Sequence, residues 1–133
     1  MSLKTLTATL GSDRFATVMS TRQHTLVADE PVELGGQDSA ADPYEYLMAA
    51  LASCTAITVR MYADRKEWPL EGVDVEVAMA GGQTPTLART LHLRGALDVA
   101  QRARLLQIAD ACPISKMLTA GVSMTSALAG DDR

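Results

Sequence analysis

The apolar positions between Asp42 and Tyr62 recur at steps of three and four, which is the spacing of an α-helix. No charged side chain lies between Glu45 and Arg60, so the helix is apolar on nearly all sides and we expect most of them to be buried. Asp42 is a good N-cap, Pro43 suits the first helical position, and Glu45 completes a capping box. Because the uncharged stretch is shorter than the about 20 residues of a membrane span, we interpret it as a core helix.

Alternating polar and apolar residues predict strands on both sides of this helix. The first three strands form a small antiparallel sheet that begins with a hairpin, and the next two form a second hairpin that turns at Gly81-Gly82. In the second strand of that hairpin, Leu87, Leu91 and Leu93 share one side. The predicted strands cover residues 5–10, 14–20, 24–28, 72–80, 86–95 and 122–128.

Two further helices are predicted near the end of the chain. Asp98 and Gln101 form a capping box that opens the first of them, and its apolar stripe ends at Cys112. Pro113 ends that helix and occupies the first turn of a short new one, which Gly121 stops. This order of elements predicts an α+β fold with antiparallel sheets packed on a long central helix.

The composition indicates one soluble globular domain over residues 1–133. A net charge of −4 offers no basic face for nucleic acid. The first ten residues lack a cationic segment followed by an apolar run, so we expect a cytoplasmic protein without a membrane partner. With one Phe, one Trp and three Tyr, the monomer has too little bulk to cover its apolar helix. We therefore expect a homodimer, in which a second subunit covers the remaining apolar surface of the helix.

The candidates for chemistry are the two cysteines, Cys54 and Cys112. Each is also compatible with a passive role as a small core residue. A reactive Cys54 would need a nearby cation, because apolar surroundings raise the pKa of a thiol. Cys112 precedes a helix start, where free N–H groups favour a thiolate. The two thiols therefore suit an attacking and resolving pair, although their spacing does not establish that they meet.

Other kinds of site lack their sequence signatures. His24 and His92 stand alone and no C-x-x-C spacing occurs, so we expect no metal site. The segment GGQDSAAD lacks the ending of a phosphate-binding loop, and no Gly-x-Ser-x-Gly elbow is present. We expect no cofactor.

Three segments, HTLVADEPVELGG, DPYEYLMAALASCTAITVRMYADRKEWPLEGVDVEV and QIADACPISKML, resemble the OsmC/Ohr family. The resemblance covers nearly the whole chain and includes both cysteines. It implies an intertwined homodimer with paired active sites at the subunit interface, and reduction of hydroperoxides. Cys54 then matches the cysteine that attacks the peroxide and becomes a sulfenic acid. Cys112 matches the one that condenses with it to a disulfide, which an external dithiol reduces.

The resemblance also implies an arginine and a glutamate beside the attacking thiolate. Arg14 matches the arginine best by its place after the first turn, with Arg22 as the alternative. In the organic-hydroperoxide branch, the glutamate directly follows the helix-opening proline, whereas here Tyr44 takes that place and Glu45 comes one residue later. One residue rotates a helical side chain by about 100°, so Glu45 is either catalytic or only the acid of the capping box.

Three functional hypotheses follow. The first is a thiol-dependent hydroperoxide reductase that acts in oxidative-stress defence. The second is a non-catalytic dimeric stress-response or small-ligand-binding protein with passive thiols. The third is a redox sensor that is oxidised but barely turns over. Consumption of peroxide in the presence of a dithiol separates the first hypothesis from the other two.

Overall fold

The computed structural model describes residues 3–130, which form two compact units divided between Ala49 and Ala50, inside the long helix. Helices and antiparallel strands confirm the α+β class, whereas the single domain over residues 1–133 stays a prediction. The elements are β1 (Thr7–Thr9), β2 (Thr17–Thr21), β3 (His24–Ala28), a short 3-10 helix (Val32–Leu34), α1 (Pro43–Arg65), β4 (Leu70–Ala80), β5 (Thr86–Gly95), α2 (Val99–Asp110) and α3 (Pro113–Ala120).

The first unit contains the three-stranded antiparallel sheet, in the order β1-β2-β3. Strand β2 begins later than the alternating pattern predicts, because a turn occupies the start of the predicted segment. The N–H of Ala16 donates to the carbonyl of Asp13 at 2.9 Å, and Arg14 between them has a φ of +49°. A left-handed residue inside a turn cannot continue a strand.

The loop after β3 is held by one buried carboxylate, that of Asp29. It accepts hydrogen bonds from the backbone N–H groups of Glu30, Gln37 and Ser39 and from the Ser39 hydroxyl, at 2.6 to 3.3 Å. The Ser39 hydroxyl, followed by these N–H groups, lowers the pKa of Asp29 despite its burial. Gly36 is required in this loop, since a Cβ there would lie 2.0 Å from the Glu30 carbonyl oxygen.

Helix α1 begins at the predicted capping box. The N–H of Glu45 donates to Asp42 Oδ1 at 2.8 Å, and the N–H of Asp42 donates to Glu45 Oε1 at 2.9 Å. The expectation that most sides of the helix are buried is wrong for the single chain. Burial is confined to one stripe with a four-residue repeat, while Ile57 and Met61 are more than half exposed. The stripe consists of Leu51, Thr55, Val59 and Ala63.

By length and composition, α1 is the one described helix that could cross a membrane. The same properties occur in the core helices of soluble proteins, so they are weak evidence for a membrane span. Its buried stripe contributes Val59 and Ala63 to a hydrophobic core, which favours the core interpretation. The cytoplasmic location stays a prediction.

The second unit packs the C-terminal part of α1, the β4-β5 hairpin and α2 around one hydrophobic core. Arg60 ties α1 to β4 by donating to the carbonyl of Leu70 at 2.8 Å. The predicted capping box of Asp98 and Gln101 opens α2, with both hydrogen bonds present. The buried core residues are Val59, Ala63, Leu70, Leu97, Leu105 and Ala109.

The predicted last strand, at 122–128, is wrong for the single chain. This segment has no regular secondary structure, and Met124 and Leu128 are more than four-fifths exposed. A strand requires hydrogen bonds to a neighbouring strand, and within the described residues the β1-β2-β3 and β4-β5 sheets include no segment beyond Gly95. An alternating pattern is therefore not enough to form a strand here.

Candidate functional site

Cys112 is a fully buried N-cap residue at the start of α3. Its backbone is extended, and its Sγ accepts a hydrogen bond from the N–H of Ser115 at 3.4 Å. Pro113 at the first helical position lacks an N–H and fixes the helical φ, so the chain turns into the helix directly after the cysteine. The thiol thus faces the positive end of the helix, as the sequence predicts.

Thr55 of α1 faces this thiol from the other side. Its Oγ1 lies 3.6 Å from Cys112 Sγ and donates to the carbonyl of Leu51 at 2.8 Å. The same Oγ1 accepts a hydrogen bond from Arg89 at 2.9 Å. A single hydroxyl therefore links the α1 backbone, the thiol and a cation.

Arg89 of β5 is the cation in this cluster. Its Nη1 lies 3.9 Å from Cys112 Sγ, and its Nη2 donates to Asp110 Oδ1 at 3.0 Å and to Ser115 Oγ at 3.4 Å. The side chain of Arg89 is 13% exposed, whereas that of Asp110 is 71% exposed. The arginine charge is thus shielded from water on the thiol side and paired with a carboxylate on the solvent side.

These contacts set the acidity of Cys112. Burial raises the pKa of its thiol, but hydrogen bonds from the Ser115 N–H, the Thr55 hydroxyl and Cys54, with the charge of Arg89, outweigh burial. The net effect is a pKa below the usual value of a thiol. The thiolate form of Cys112 is therefore stabilised relative to that of an ordinary thiol.

Cys54 lies next to Thr55 in the chain, near the middle of α1, and is half-buried. An interaction with Cys54 is among the causes that lower the pKa of Cys112, which indicates that the two predicted reactive residues lie near each other. Both are free thiols. Their catalytic roles stay predictions.

The other predicted site residues lie in the first unit. Arg14 donates from Nε and Nη2 to the carbonyl of Gly35, at 3.2 and 2.8 Å, and its guanidinium stacks on the ring of Phe15. Arg22 lies in the turn between β2 and β3 with a φ of +53°. Glu45 is exposed and acts in the capping box of α1. The roles of all three toward Cys54 stay predictions.

A cavity of about 430 Å³ adjoins the cysteine cluster within the second unit. Its polar lining includes Arg89, Asp110 and Ser115, and Arg89 donates hydrogen bonds to the side chains of the other two. Leucines form most of the remaining wall. The lining residues are Leu51, Leu87, Arg89, Leu106, Asp110, Ser115, Leu118 and Thr119. A small molecule with an apolar body and a polar group fits this chemistry.

Between Leu3 and Gly130, no group of three or more His, Cys, Asp or Glu side chains is arranged to hold a metal ion. The chemistry available within this cluster is that of two thiols, two hydroxyls and one ion pair.

Sequence reasoning missed Arg89, although the pattern contained a signal for it. Alternation along β5 places Arg89 on the same side as Leu87, Leu91 and Leu93, which the structure shows as the less exposed side. A charge in the inward register of a strand has to be paired or hydrogen-bonded. The inward register of Arg89 on β5 therefore predicts an anionic or polar partner for its guanidinium.

The fold and the cluster define an α+β protein that carries two free thiols, one at a helix start and one on the central helix. The family model for the OsmC-like protein matches residues 36–127, and the chain belongs to this family. Comparison with curated proteins found no match.

Similar folds occur among solved structures. An OsmC-like protein from Mycoplasma pneumoniae is 16% identical, with a TM-score of 0.76 and coverage of 89% of this chain and 88% of the other. An organic hydroperoxide resistance protein OsmC from Legionella pneumophila is 24% identical, with a TM-score of 0.65 and coverage of 89% and 90%. An organic hydroperoxide resistance protein from Elizabethkingia anophelis is 20% identical, with a TM-score of 0.67 and coverage of 87% of each chain. These likenesses confirm the predicted OsmC-like fold.

Proposed function

We propose that this protein is a thiol-dependent hydroperoxide reductase in which Cys54 attacks the peroxide and Cys112 resolves the product. The observation that carries the proposal is a fully buried thiol, Cys112, that lies against the Thr55 hydroxyl and Arg89, with the half-buried Cys54 next to Thr55 in the chain. Similar folds belong to proteins named for organic hydroperoxide resistance, which agrees with this substrate class.

The chemistry balances in three steps. The Cys54 thiolate attacks the distal oxygen of a hydroperoxide ROOH, which gives a sulfenic acid and releases the alcohol ROH once the alkoxide takes a proton. The Cys112 thiolate then attacks the Cys54 sulfur, forming a disulfide and releasing hydroxide, which leaves as water. An external dithiol reduces that disulfide and itself becomes a disulfide.

Accessibility supports this order of the two cysteines. Cys54 is partly exposed, so a peroxide and a dithiol can reach it, whereas Cys112 is fully buried and is reached most directly through its neighbour. The lowered pKa of Cys112 suits attack on a sulfenic acid, because the thiolate is the reacting form. Activation of Cys54 is assigned to Arg14, with Arg22 as the alternative and Glu45 as a supporting acid.

The proposed enzyme acts in the cytoplasm as a homodimer. In the single chain, α1 leaves large apolar side chains exposed, and so does the segment 122–128. A second copy of the chain is the occupant that would cover both and provide a strand partner for the latter. An intertwined dimer of this kind should bury more than about 2,000 Å² in total.

A second candidate function is supported by the cavity of about 430 Å³ beside Arg89. A non-catalytic dimeric protein would use it for a small ligand with a polar group, and its thiols would be passive. A redox sensor would oxidise at Cys54 without repeated turnover.

Peroxide consumption tests these alternatives. Purified protein is mixed with tert-butyl hydroperoxide or hydrogen peroxide and an excess of dithiol, and Cys54→Ser serves as the control. Consumption by the wild type that exceeds that of Cys54→Ser over many turnovers supports the reductase. If the wild type consumes neither peroxide faster than Cys54→Ser does, the reductase is contradicted. A single turnover of the wild type favours the sensor.

A further inference from the structure

We propose that Arg89 is a positioning residue that holds Cys112 as the thiolate which resolves the sulfenic acid and later leaves from the disulfide. This role rests on the proposed two-cysteine reduction and adds a residue to it. Arg89 touches neither the peroxide nor Cys54 in this assignment, and acts through the sulfur of Cys112.

The geometry gives Arg89 two ways to act on that sulfur. Its Nη1 lies 3.9 Å from Cys112 Sγ and 2.9 Å from Thr55 Oγ1, which itself lies 3.6 Å from the sulfur. The cation therefore attracts the thiolate directly and also fixes the Thr55 hydroxyl beside the sulfur. Because the arginine side chain is only 13% exposed, solvent screens this attraction weakly.

The groups that face Cys112 come from several elements. Arg89 is supplied by β5, Thr55 and the titratable Cys54 by α1, and the Ser115 N–H by α3. Asp110, at the end of α2, holds the outer side of Arg89 and carries the opposing charge. Removal of Arg89 and removal of the Asp110 charge should thus move the ionisation of Cys112 in opposite directions.

An acidic Cys112 also sets the direction in which the disulfide is reduced. The first thiolate of the dithiol attacks the partly exposed Cys54 sulfur, and the electron pair of the broken S–S bond leaves on Cys112. The second thiolate of the dithiol then releases Cys54. Departure of Cys112 is favoured because a thiol of lower pKa leaves faster.

A first experiment measures the ionisation of Cys112 without any peroxide. In a Cys54→Ser background, Cys112 is the remaining cysteine, and thiolate absorbance near 240 nm is followed against pH. We expect Arg89→Gln, which removes the cation, to raise the midpoint pH of Cys112 ionisation, and Arg89→Lys, which keeps a cation, to raise it less. Asp110→Asn removes the opposing negative charge and should lower that midpoint. Circular dichroism establishes that each variant is folded.

A second experiment measures resolution in proteins that keep both cysteines. After one equivalent of peroxide, quenched samples are analysed by mass spectrometry for sulfenic acid at Cys54 and for the disulfide. In Arg89→Gln, a roughly tenfold loss of thiolate is partly offset by the greater nucleophilicity of a more basic sulfur, so resolution below the midpoint slows about threefold. At pH values above the midpoint of Cys112 ionisation in the variant, the rate of disulfide formation in Arg89→Gln should match or exceed that of the wild type.

The outcomes separate this inference from the proposed function. If Arg89→Gln and Asp110→Asn shift the midpoint the same way, or leave it unchanged, the ion pair is only structural and the role of Arg89 is wrong. If Arg89→Gln slows disulfide formation equally at every pH, the role assigned to Arg89 is likewise wrong. If the wild type forms no sulfenic acid at Cys54, the proposed reductase fails, whereas the absorbance titration still reports whether Arg89 stabilises the thiolate.

Discussion

Thr55 Oγ1 and Cys112 Sγ lie 3.6 Å apart, although α1 and α3 bring them from distant parts of the chain. The threonine belongs to the buried stripe of α1, and the cysteine is the N-cap of α3. Arg89 binds the same hydroxyl at 2.9 Å. The acidity of the buried thiol therefore depends on a hydroxyl that also helps to hold the second unit together.

Replacement of this hydroxyl should reduce both stability and acidity. Thr55→Val keeps the shape of the side chain but leaves a guanidinium N–H without its acceptor, which should cost about 1–3 kcal/mol of unfolding free energy. It should also raise the midpoint of Cys112 ionisation in the Cys54→Ser background. Thr55→Ser retains the hydroxyl and is the matched control. Urea denaturation and thiolate absorbance measure the two effects, and equal behaviour of Val and Ser would contradict the prediction.

The buried carboxylate of Asp29 predicts a pH dependence of stability. The folded state lowers the pKa of Asp29 from its ordinary value of 3.8, first through the Ser39 hydroxyl and then through backbone N–H groups. Its contribution is therefore fully present above the unfolded pKa and is lost as the pH falls through the lower folded pKa. In Asp29→Asn, unfolding free energy should fall less between pH 7 and pH 3 than in the wild type.

The control for Asp29 is Glu33→Gln, which removes an exposed carboxylate from the same loop. Its stability should retain the pH dependence of the wild type. Equal slopes for Asp29→Asn and the wild type would show that the hydrogen bonds of this loop do not couple to the protonation of Asp29.

The proposed homodimer predicts a dependence of stability on protein concentration. The unfolding midpoint should rise with concentration, because association is part of folding for an intertwined dimer. Ile57→Glu places a charge on the exposed apolar side of α1 and should shift sedimentation toward the monomer. Val99→Glu is the control, since Val99 is 85% exposed at the first turn of α2, where an acidic residue is favourable. A wild-type monomer that stays folded at micromolar concentration contradicts the dimer.

Local signals in the sequence were enough to predict most of the fold. The capping boxes at Asp42 and Asp98 depend on neighbouring residues, and strand β5 is bounded by its own turn signals, so each could be predicted without tertiary information. The segment 122–128 shows the limit of such reasoning. Its alternating pattern is compatible with a strand, but the hydrogen-bonding partner of a strand is not encoded in the segment itself.

The candidate site was only partly predictable for the same reason. Cys112 could be placed at a helix start from the proline that follows it, whereas its pairing with Cys54 is implied by the resemblance and not by spacing. Arg89 was missed because pairing between a strand residue and a helix cap depends on how the hairpin packs. The resemblance instead places the expected cation in the first hairpin, at Arg14.

Arg14 and Arg22 are distinguished by their separate effects on the first oxidation. If Arg14 activates Cys54, Arg14→Ala should slow sulfenic acid formation by roughly threefold, because a tenfold loss of thiolate is partly offset by the greater nucleophilicity of a more basic sulfur. Arg22→Ala should then have little effect, and the reverse pattern would assign the role to Arg22. Stopped-flow mixing with peroxide in a Cys112→Ser background measures this step alone. Because Arg14 also donates to Gly35, circular dichroism and urea denaturation must show that Arg14→Ala is folded.

The division of labour between the two thiols gives the last prediction. Cys112 is the thiol with the lowered pKa, yet it is fully buried, so access rather than acidity should decide which sulfur meets the peroxide first. In Cys112→Ser, Cys54 should still be oxidised, and its sulfenic acid should persist long enough to be trapped by a dione reagent or overoxidised to the sulfinic acid. In Cys54→Ser, trapping should fail despite the acidity of Cys112.

Mass spectrometry after one equivalent of peroxide locates the label in both variants. A dione adduct on Cys112 in Cys54→Ser, with none on Cys54 in Cys112→Ser, would mean that acidity outweighs access and would invert the assignment. Absence of label in both variants would make the two cysteines passive core residues. Label on Cys54 alone would mean that the peroxide reaches the side of α1 that carries Cys54. Cys112, the buried N-cap of α3, would then react only in the second step, when the disulfide forms.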